Sequence, residues 1–403
     1  MQRQRQSIVL FKLFTFWFWF ANYILNPYMS PYAKQLGASN VVIGFVVSAY
    51  SVAQIILKIP IGIGADRIGK KKIFIVVGAA ITLIAEIGMF LSASVGGLIV
   101  FRLLQGIAVA SWVCATVLFA SYLPADQAVN ATVELQICNS AGTLTGYFLG
   151  GFVTSRYGYH SVFLIAALGA LVAFVVSLFI SEECGKSETK SVGLVQLINV
   201  GKTPFLLFVT GVCLIGQMIL ATTTWGFTPT LAVEMGADSM QVSIISICSS
   251  VPGLLCSLFV SRRLVKRWGE KRVVVLATAM EALFCCTQAL MPSVALLGIN
   301  CILSGFFHAM SYSVLLGLSI KYFSARVRAA AMGFMQSFYC IGLFVGPVIS
   351  GYFNDLYGMR AGFVAIGLIG FVAPVITVLL YDCTERRIIA QQQDDRWLKQ
   401  YEN

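Results

Sequence analysis

Gly62-Ile63-Gly64-Ala65-Asp66-Arg67-Ile68-Gly69-Lys70-Lys71-Lys72 decides how this chain is read. An acid, an arginine, three glycines and three lysines are packed into a connection too short to form a domain, between two long apolar runs. Further along, the chain repeats the design as Ser261-Arg262-Arg263-Leu264-Val265-Lys266-Arg267-Trp268-Gly269-Glu270-Lys271-Arg272. Gly69 aligns with Gly269, Lys71 with Lys271 and Lys72 with Arg272 at one constant offset. A basic hairpin met twice at one offset points to a duplicated chain.

The duplication extends outward from the hairpins. Gly142, Gly146, Gly151, Tyr157, Gly158 and Phe163 return as Gly342, Gly346, Gly351, Tyr357, Gly358 and Phe363. Leu36-Gly37-Ala38 returns one residue out of step as Met235-Gly236-Ala237. Between these landmarks lie apolar runs of about 20 residues, each long enough to cross a hydrocarbon core of roughly 30 Å as a helix. They are continuous rather than alternating, which selects helices over a barrel. The composition agrees. The 403 residues are 58% hydrophobic and 11% charged, with a mean hydropathy of +0.84. A soluble domain carries about 25% charge, so this chain cannot clothe a water-facing surface of its length.

Twelve spans are predicted, at 10–31, 41–61, 73–94, 97–121, 129–154, 161–181, 204–227, 240–260, 273–292, 295–320, 329–353 and 361–381. The expected fold is an all-α polytopic membrane protein with 12 transmembrane helices in two six-helix pseudo-symmetric bundles. The bundles take residues 1–181 and 203–381. A cytoplasmic linker, 182–202, carries Glu182, Glu183, Lys186, Glu188 and Lys190, and a polar cytoplasmic tail covers 382–403. The start, Met1-Gln2-Arg3-Gln4-Arg5 followed by an apolar run, has the look of a signal peptide. No small-residue cleavage site is clear and the run continues through Trp17 and Trp19, so it is read as a retained first helix.

A net charge of +11 suggests nucleic acid only until the charges are placed. Lys and Arg gather at Arg3/Arg5, Arg67 to Lys72, Lys186/Lys190/Lys202, Arg262 to Arg272, Lys321/Arg326/Arg328 and Arg386/Arg387. The alternate loops hold only Lys34, Arg156 and Arg360. This is the positive-inside bias. It sets both termini in the cytoplasm of a multi-pass protein of the cell (inner or plasma) membrane, with no nucleic-acid partner. Of the 11 cysteines, none falls in an oxidising loop, so no disulfide framework is expected. No metal-ligand spacing occurs, no P-loop and no Ser/His/Asp constellation. The chain is therefore read as no enzyme, with no metal, no cofactor and no ATP site.

These residues resemble the major facilitator superfamily over nearly the whole length. Its loop between the second and third spans is present as Gly62, Gly64, Asp66, Arg67, Gly69, Lys70 and Lys71. A second motif stands on the fourth span as Arg102-Leu103-Leu104-Gln105-Gly106. Gly142, Gly146, Gly150 and Gly151 resemble the glycine motif of proton-coupled exporters. Tyr147 occupies the place where those exporters carry proline, and the proline occurs in the second half at Pro347.

The resemblance implies alternating access about a site at the bilayer midplane. It implies that Gly62, Asp66, Arg67, Gly69, Lys71 and Glu134 take part in gating. Asp66 meets the N-terminal end of a helix of the other half, and Arg67 and Lys71 bind Asp126 or Glu134. Lys266 in place of the aspartate makes this latch one-sided. The plainer alternative is a basic turn that only sets topology. Gly142, Gly146, Gly150, Gly151, Gly342, Gly346 and Pro347 form a helix pivot or, alternatively, generic close packing.

Spans one, four, seven and ten line the cavity in this family. That gives Asn22, Asn26, Arg102, Trp112, Gln217, Trp225, His308 and Tyr312 as substrate-cavity residues, and Arg102, Gln105, Glu134 and His308 as coupling residues. An arginine in a membrane span is costly unless it is paired or faces water, so Arg102 either serves transport or is a snorkelling or structurally paired side chain. Histidine is the side chain whose ordinary titration falls near neutral pH. Glu86 and Glu281 lie on spans that are peripheral in the family and read as structural hydrogen bonds or interhelical pairs.

The cavity residues are aromatic and weakly polar, which suits an amphipathic organic molecule better than a sugar or a bare ion. The expected function is proton-coupled efflux of small amphipathic molecules by a monomeric antiporter whose partners are its small-molecule substrate, protons and the lipid bilayer. The alternatives are a proton-coupled uptake symporter and, in another class, a polytopic receptor without transport.

Overall fold

The structure, a computed structural model, describes residues 2–123, 128–182, 199–256, 261–323 and 325–393. The first six spans are α1 (Gln2–Ile24) with α2 (Asn26–Gln35), α3 (Asn40–Ile68), α4 (Lys71–Leu91), α5 (Val95–Ala110) with α6 (Trp112–Ser121), α7 (Ala128–Tyr157) and α8 (Tyr159–Phe179). The later ones begin with α9 (Pro204–Leu220), which passes through a π-helical turn (Ala221–Phe227) into α10 (Thr228–Glu234). Then come α11 (Ser239–Leu255), α12 (Ser261–Trp268), α13 (Glu270–Gln288), α14 (Val294–Lys321), α15 (Ala325–Tyr357), and α16 (Ala361–Gly370) with α17 (Val372–Gln393).

Local sequence explains the ends. Ser39, Ser94 and Ser293 precede α3, α5 and α14, and each accepts a backbone N–H of the first turn, from Val42, Gly97 and Leu296. These bonds satisfy donors that a helix start leaves unmade. Gly69 closes α3 at φ +68°, the left-handed conformation that costs an L side chain but not glycine. Among the described residues six glycines have positive φ, and they fall into three pairs, Gly37/Gly236, Gly69/Gly269 and Gly158/Gly358. The duplication is thus written into the turns. It also marks a break: span one is interrupted at Leu25, ahead of Pro27, and span seven by the π-helical turn at the matching place.

Among the described residues nine helices are long and apolar enough to cross a membrane. The other three expected spans are α7, α11 and α13. They are helical: α7 holds Glu134, Asn139 and several threonines, α13 holds Glu281 besides its charged first turn, and α11 is described over 17 residues, Ser239–Leu255. The expected tail is helical at first, since α17 continues to Gln393. Residues 183–198 of the expected linker lie outside the described residues, as does the tail from 394.

Contacts divide the chain into two units, residues 1–188 with 229–247, and residues 189–228 with 248–403. The segment 229–247, assigned from sequence to the second bundle, groups with the first unit. In the first, α1 packs on α7 and α8, α3 on α5, and α4 on α5 and α8. Its core is built on Phe11, Phe14, Phe18 and Phe119. In the second, α9 packs on α15 and α17, and α13 on α14 and α16, around Phe205, Val209, Val274 and Leu318.

Candidate functional site: two buried polar clusters

The first cluster is built on α5. Arg102 and Gln105 stand three positions apart, so they share a helix face. The Arg102 guanidinium donates from Nη1 to Gln105 Oε1 at 2.6 Å and to Asn26 Oδ1 of α2 at 3.3 Å. Gln105 in turn donates from Nε2 to Glu86 Oε1 of α4 at 2.7 Å and to the carbonyl of Asn22 at 3.4 Å. The guanidinium carbon lies 5.2 Å from the centre of the Tyr50 ring, within cation–π range. Arg102 is 3% exposed, and Gln105 and Glu86 are fully buried. Arg102 therefore does not snorkel to the surface. Gln105 stands between it and Glu86. Arg102 Nε and Glu86 Oε2 are buried without a hydrogen-bond partner among the described residues, so each keeps one position free for a further group. Tyr147, in the proline position of the glycine motif, hydrogen-bonds Asn26 from α7.

The second cluster lies in the other unit. Glu281 of α13 is fully buried. Its Oε1 meets Nδ1 of His308 on α14 at 2.7 Å, and its Oε2 accepts from the hydroxyl of Ser311 at 3.1 Å. His308 and Ser311 share one face of α14. The Tyr312 ring lies near-parallel to the imidazole at 6.2 Å and 12°. On the α9 side the carboxylate rests against the bare Cα of Gly216.

Of the cavity residues, Asn22 turns its amide back to the carbonyl of Phe18 at 2.7 Å. Trp112 stacks on Phe18 at 5.9 Å and meets Trp19 edge-on at 5.1 Å. Gln217 is buried, and Trp225, on the π-helical turn, is half-buried. The structure joins Asn22, Asn26, Arg102 and Gln105 in one cluster and His308 and Tyr312 in the other.

The gating set is rearranged. Glu134 pairs with Lys12 at 3.0 Å, which corrects the expected pairing with Arg67 or Lys71. Because α7 packs along α1, its acid faces the lysine of that helix. The hairpin's acid is instead Glu182. It accepts the backbone N–H of Lys71 at 2.7 Å and of Lys72 at 3.0 Å. The second hairpin matches it, with Lys271 Nζ on Asp382 at 2.8 Å. Gly62 is half-buried, and Arg67 is exposed beside Gly69 at the turn. The side chain of Asp66 and the whole of Asp126 lie outside the described residues.

A Cβ on Gly142, Gly146 or Gly150 would press on Phe16, on Phe20 and Ile24, or on Tyr28 and Ile24. These glycines therefore seat α7 on span one of its own half. Gly151 faces Ser243 and Met240 of α11, whereas Gly342 and Gly346 seat α15 on Leu214 and Met218 of α9. Pro347 lies within α15.

Glu86 and Glu281 were absent from the site expected on sequence. Each is the only acid within its predicted span, and that isolation was the available signal.

A model of the Major Facilitator Superfamily matches residues 13–228 and again residues 206–397. The chain is 27% identical over 374 residues to the multi-drug resistance efflux pump PmrA of Streptococcus pneumoniae, covering 87% of this chain and 91% of that one. It is 26% identical over 369 residues to the multidrug resistance protein MdtG of Citrobacter koseri, covering 87% and 89%. Among solved structures it is similar to a bacterial homolog of the human lysosomal transporter Spinster, with a TM-score of 0.77 and 16% identity over 96% of this chain and 98% of that one.

Proposed function

The chain belongs to the major facilitator superfamily, and from that premise we propose that it exports small amphipathic organic molecules in exchange for protons, by alternating access. As a member it is a multi-pass secondary transporter of small molecules. The finer reading is carried by one observation: each unit buries a polar cluster inside helices that are otherwise apolar. Polar groups at membrane depth are costly and mark pathways or coupling sites. The likeness to PmrA and MdtG supports export.

The two clusters divide the work. Arg102 stays charged at every working pH, so it orients an acceptor group on the substrate or holds Glu86, with Gln105 and Asn26 keeping its fork in place. Glu134 and His308 complete the coupling set. The aromatic cluster of Phe18, Trp19, Tyr23 and Trp112 is packed on itself, and its flat apolar faces would suit drug-like guests where alternating access opens it. Gly62, Asp66, Arg67, Gly69 and Lys71 gate the cytoplasmic face. The protein works as a monomer in the plasma membrane with both termini in the cytoplasm.

The test is transport of ethidium by the purified protein in proteoliposomes. An imposed pH gradient should drive it, and a protonophore should abolish it. Drive by a sodium gradient but not by a pH gradient would overturn proton coupling. Tyr147 at the proline position favours a second reading, proton-driven uptake. The direction of ethidium movement under a fixed pH gradient separates the two.

A further inference from the structure

We propose that Glu281 and His308 together form the proton-exchange site of this transporter, with Ser311 holding the carboxylate and Arg102 taking no part in carrying the proton. The proposal rests on the proton-coupled reading above and assigns that coupling to a particular pair.

Residues 203–233, 239–260, 273–320, 329–354 and 361–381 contain no lysine and no arginine. Across all of them Glu281 is the only acid and His308 the only histidine. The structure then brings these two together at 2.7 Å from neighbouring helices. Among the described residues the other groups set against them are weak acids or neutral: Tyr312 and Ser311 from α14, Cys213 from α9 with Gln217 hydrogen-bonded to it, and Cys285 on α13 itself. Tyr339 and Cys340 of α15 stand behind Tyr312 and Cys213. Among the described residues no lysine or arginine pairs with Glu281, in contrast to Glu86, which is linked through Gln105 to the permanent charge of Arg102.

With one proton aboard, the pair is neutral, whether the proton sits on Glu281 Oε1 or on His308 Nδ1. Moving it across that bond changes no net charge. Releasing it leaves one negative charge among spans that hold no lysine or arginine, which is costly in hydrocarbon. Release is therefore favourable only when the site is open to water or when a positively charged group takes the proton's place. Binding in one state and release in the other is what exchange requires. The arginine cluster cannot alternate in this way, because its cation is permanent.

Ser311 fixes Oε2, leaving Oε1 to the imidazole, and Tyr312 lies along the ring. The carboxylate rests on Gly216, its oxygens 3.5 and 3.6 Å from where a Cβ would stand. His308, whose side chain is 15% exposed against 1% for Glu281, is the side from which the pair would meet substrate or water.

The test uses the full-length protein in lipid nanodiscs and infrared difference spectra across a pH titration. The wild type should show a protonated-carboxyl band that comes and goes with pH. Glu281→Gln should lose it, Glu86→Gln should keep it, and His308→Gln should shift its midpoint. If Glu281→Gln fails to fold, Glu281→Asp should retain the band with an altered midpoint. A band that survives in Glu281→Gln, or that vanishes in Glu86→Gln instead, overturns the proposal. In proteoliposomes Glu281→Gln should lose pH-driven ethidium accumulation and retain ethidium–ethidium exchange. Equal pH-driven transport by the wild type and Glu281→Gln would sink the assignment alone. A wild type that shows the band but moves no ethidium under a pH gradient would sink the export reading and leave the site standing.

Discussion

Glu182 closes over the first turn of α4 by accepting the backbone N–H of Lys71 at 2.7 Å, and it takes that of Lys72 as well. A carboxylate there satisfies orphan donors and meets the positive end of the helix dipole. Replacing it by glutamine should cost about 0.3–1 kcal/mol, and by alanine about 0.5–2 kcal/mol. The matching Lys271–Asp382 pair joins a side chain to a side chain, with Asp382 59% exposed. Lys271→Ala should therefore change stability by less than about 1 kcal/mol. Thermal unfolding in detergent, followed by tryptophan fluorescence, would rank the three variants. A larger loss in Lys271→Ala than in Glu182→Ala would contradict this account.

Gln105 is the part of the arginine cluster most easily tested. Gln105→Leu removes an acceptor from Arg102 and a donor from Glu86 at once. Each buried group left unsatisfied costs about 1–3 kcal/mol, so the variant should melt well below wild type. Gln105→Glu keeps the acceptor for Arg102 but sets a second acid against Glu86, and its melting point should depend on pH more steeply than that of the wild type. Equal melting of wild type and Gln105→Leu would mean that the amide bridge is not formed.

Arg102 itself separates charge from geometry. Lysine keeps the charge and loses the planar fork, so Arg102→Lys can replace neither both bonds nor the contact with Tyr50. Arg102→Lys and Arg102→Ala should both fail in transport, with Arg102→Ala the less stable because the buried acceptors of Gln105 and Asn26 lose their donor, a loss of about 1–3 kcal/mol for each. Wild-type ethidium transport by Arg102→Ala would leave the arginine a structural role alone.

Gly142 and Gly211 form a paired control for helix packing. A Cβ at Gly142 would run into the carbonyl of Phe16, whereas one at Gly211 meets nothing within 4 Å. Gly142→Ala should destabilise by about 1–3 kcal/mol through overpacking. Gly211→Ala should be neutral or stabilising by roughly 0.5–1 kcal/mol. The same thermal assay reads both, and the opposite order would show that α7 does not sit on α1 this closely.

The salt bridge from Lys34 of α2 to Glu234 of α10 is half-exposed, so it contributes about 0.2–1 kcal/mol. Its effect should appear in the accessibility of the C-terminal end of α10 more than in overall stability. Lys34→Glu should raise the labelling rate of a cysteine placed at Val233, and Lys34→Glu combined with Glu234→Lys should bring it back. Equal labelling of all three proteins would remove any role for the pair.

The parts of this molecule that could be read from sequence are those fixed by local chemistry. Continuous apolar runs forced helices, and the paired glycines forced the turns, so the hairpin at Gly69 and its copy at Gly269 were visible as residues. Arg102 stood out because one charge in an apolar run needs a partner. Which partner it finds depends on how helices rotate about their own axes, and spacing along one helix does not give that. Hence Glu134 was paired with the wrong helix, and Glu86 and Glu281 were set aside as peripheral although each touches a residue expected at the site. Helix packing decides such pairs: α7 along α1 hands Glu134 to Lys12, and α13 along α14 hands Glu281 to His308.

The position of Arg102 in the chain bears on how the protein is made. Isolated in lipid, an arginine within a span opposes insertion, by up to about 2.5–3.5 kcal/mol at a helix centre and by less at the position of Arg102, eight residues into its span. Asn26, Tyr50 and Glu86 all precede it in the chain. When α5 leaves the ribosome, its acceptor, its aromatic face and its counter-charge have therefore already been synthesised. A permuted gene that began with α5 would deliver the same arginine to an empty bilayer, and its biogenesis should fail at that step even though the finished protein would have every contact it needs.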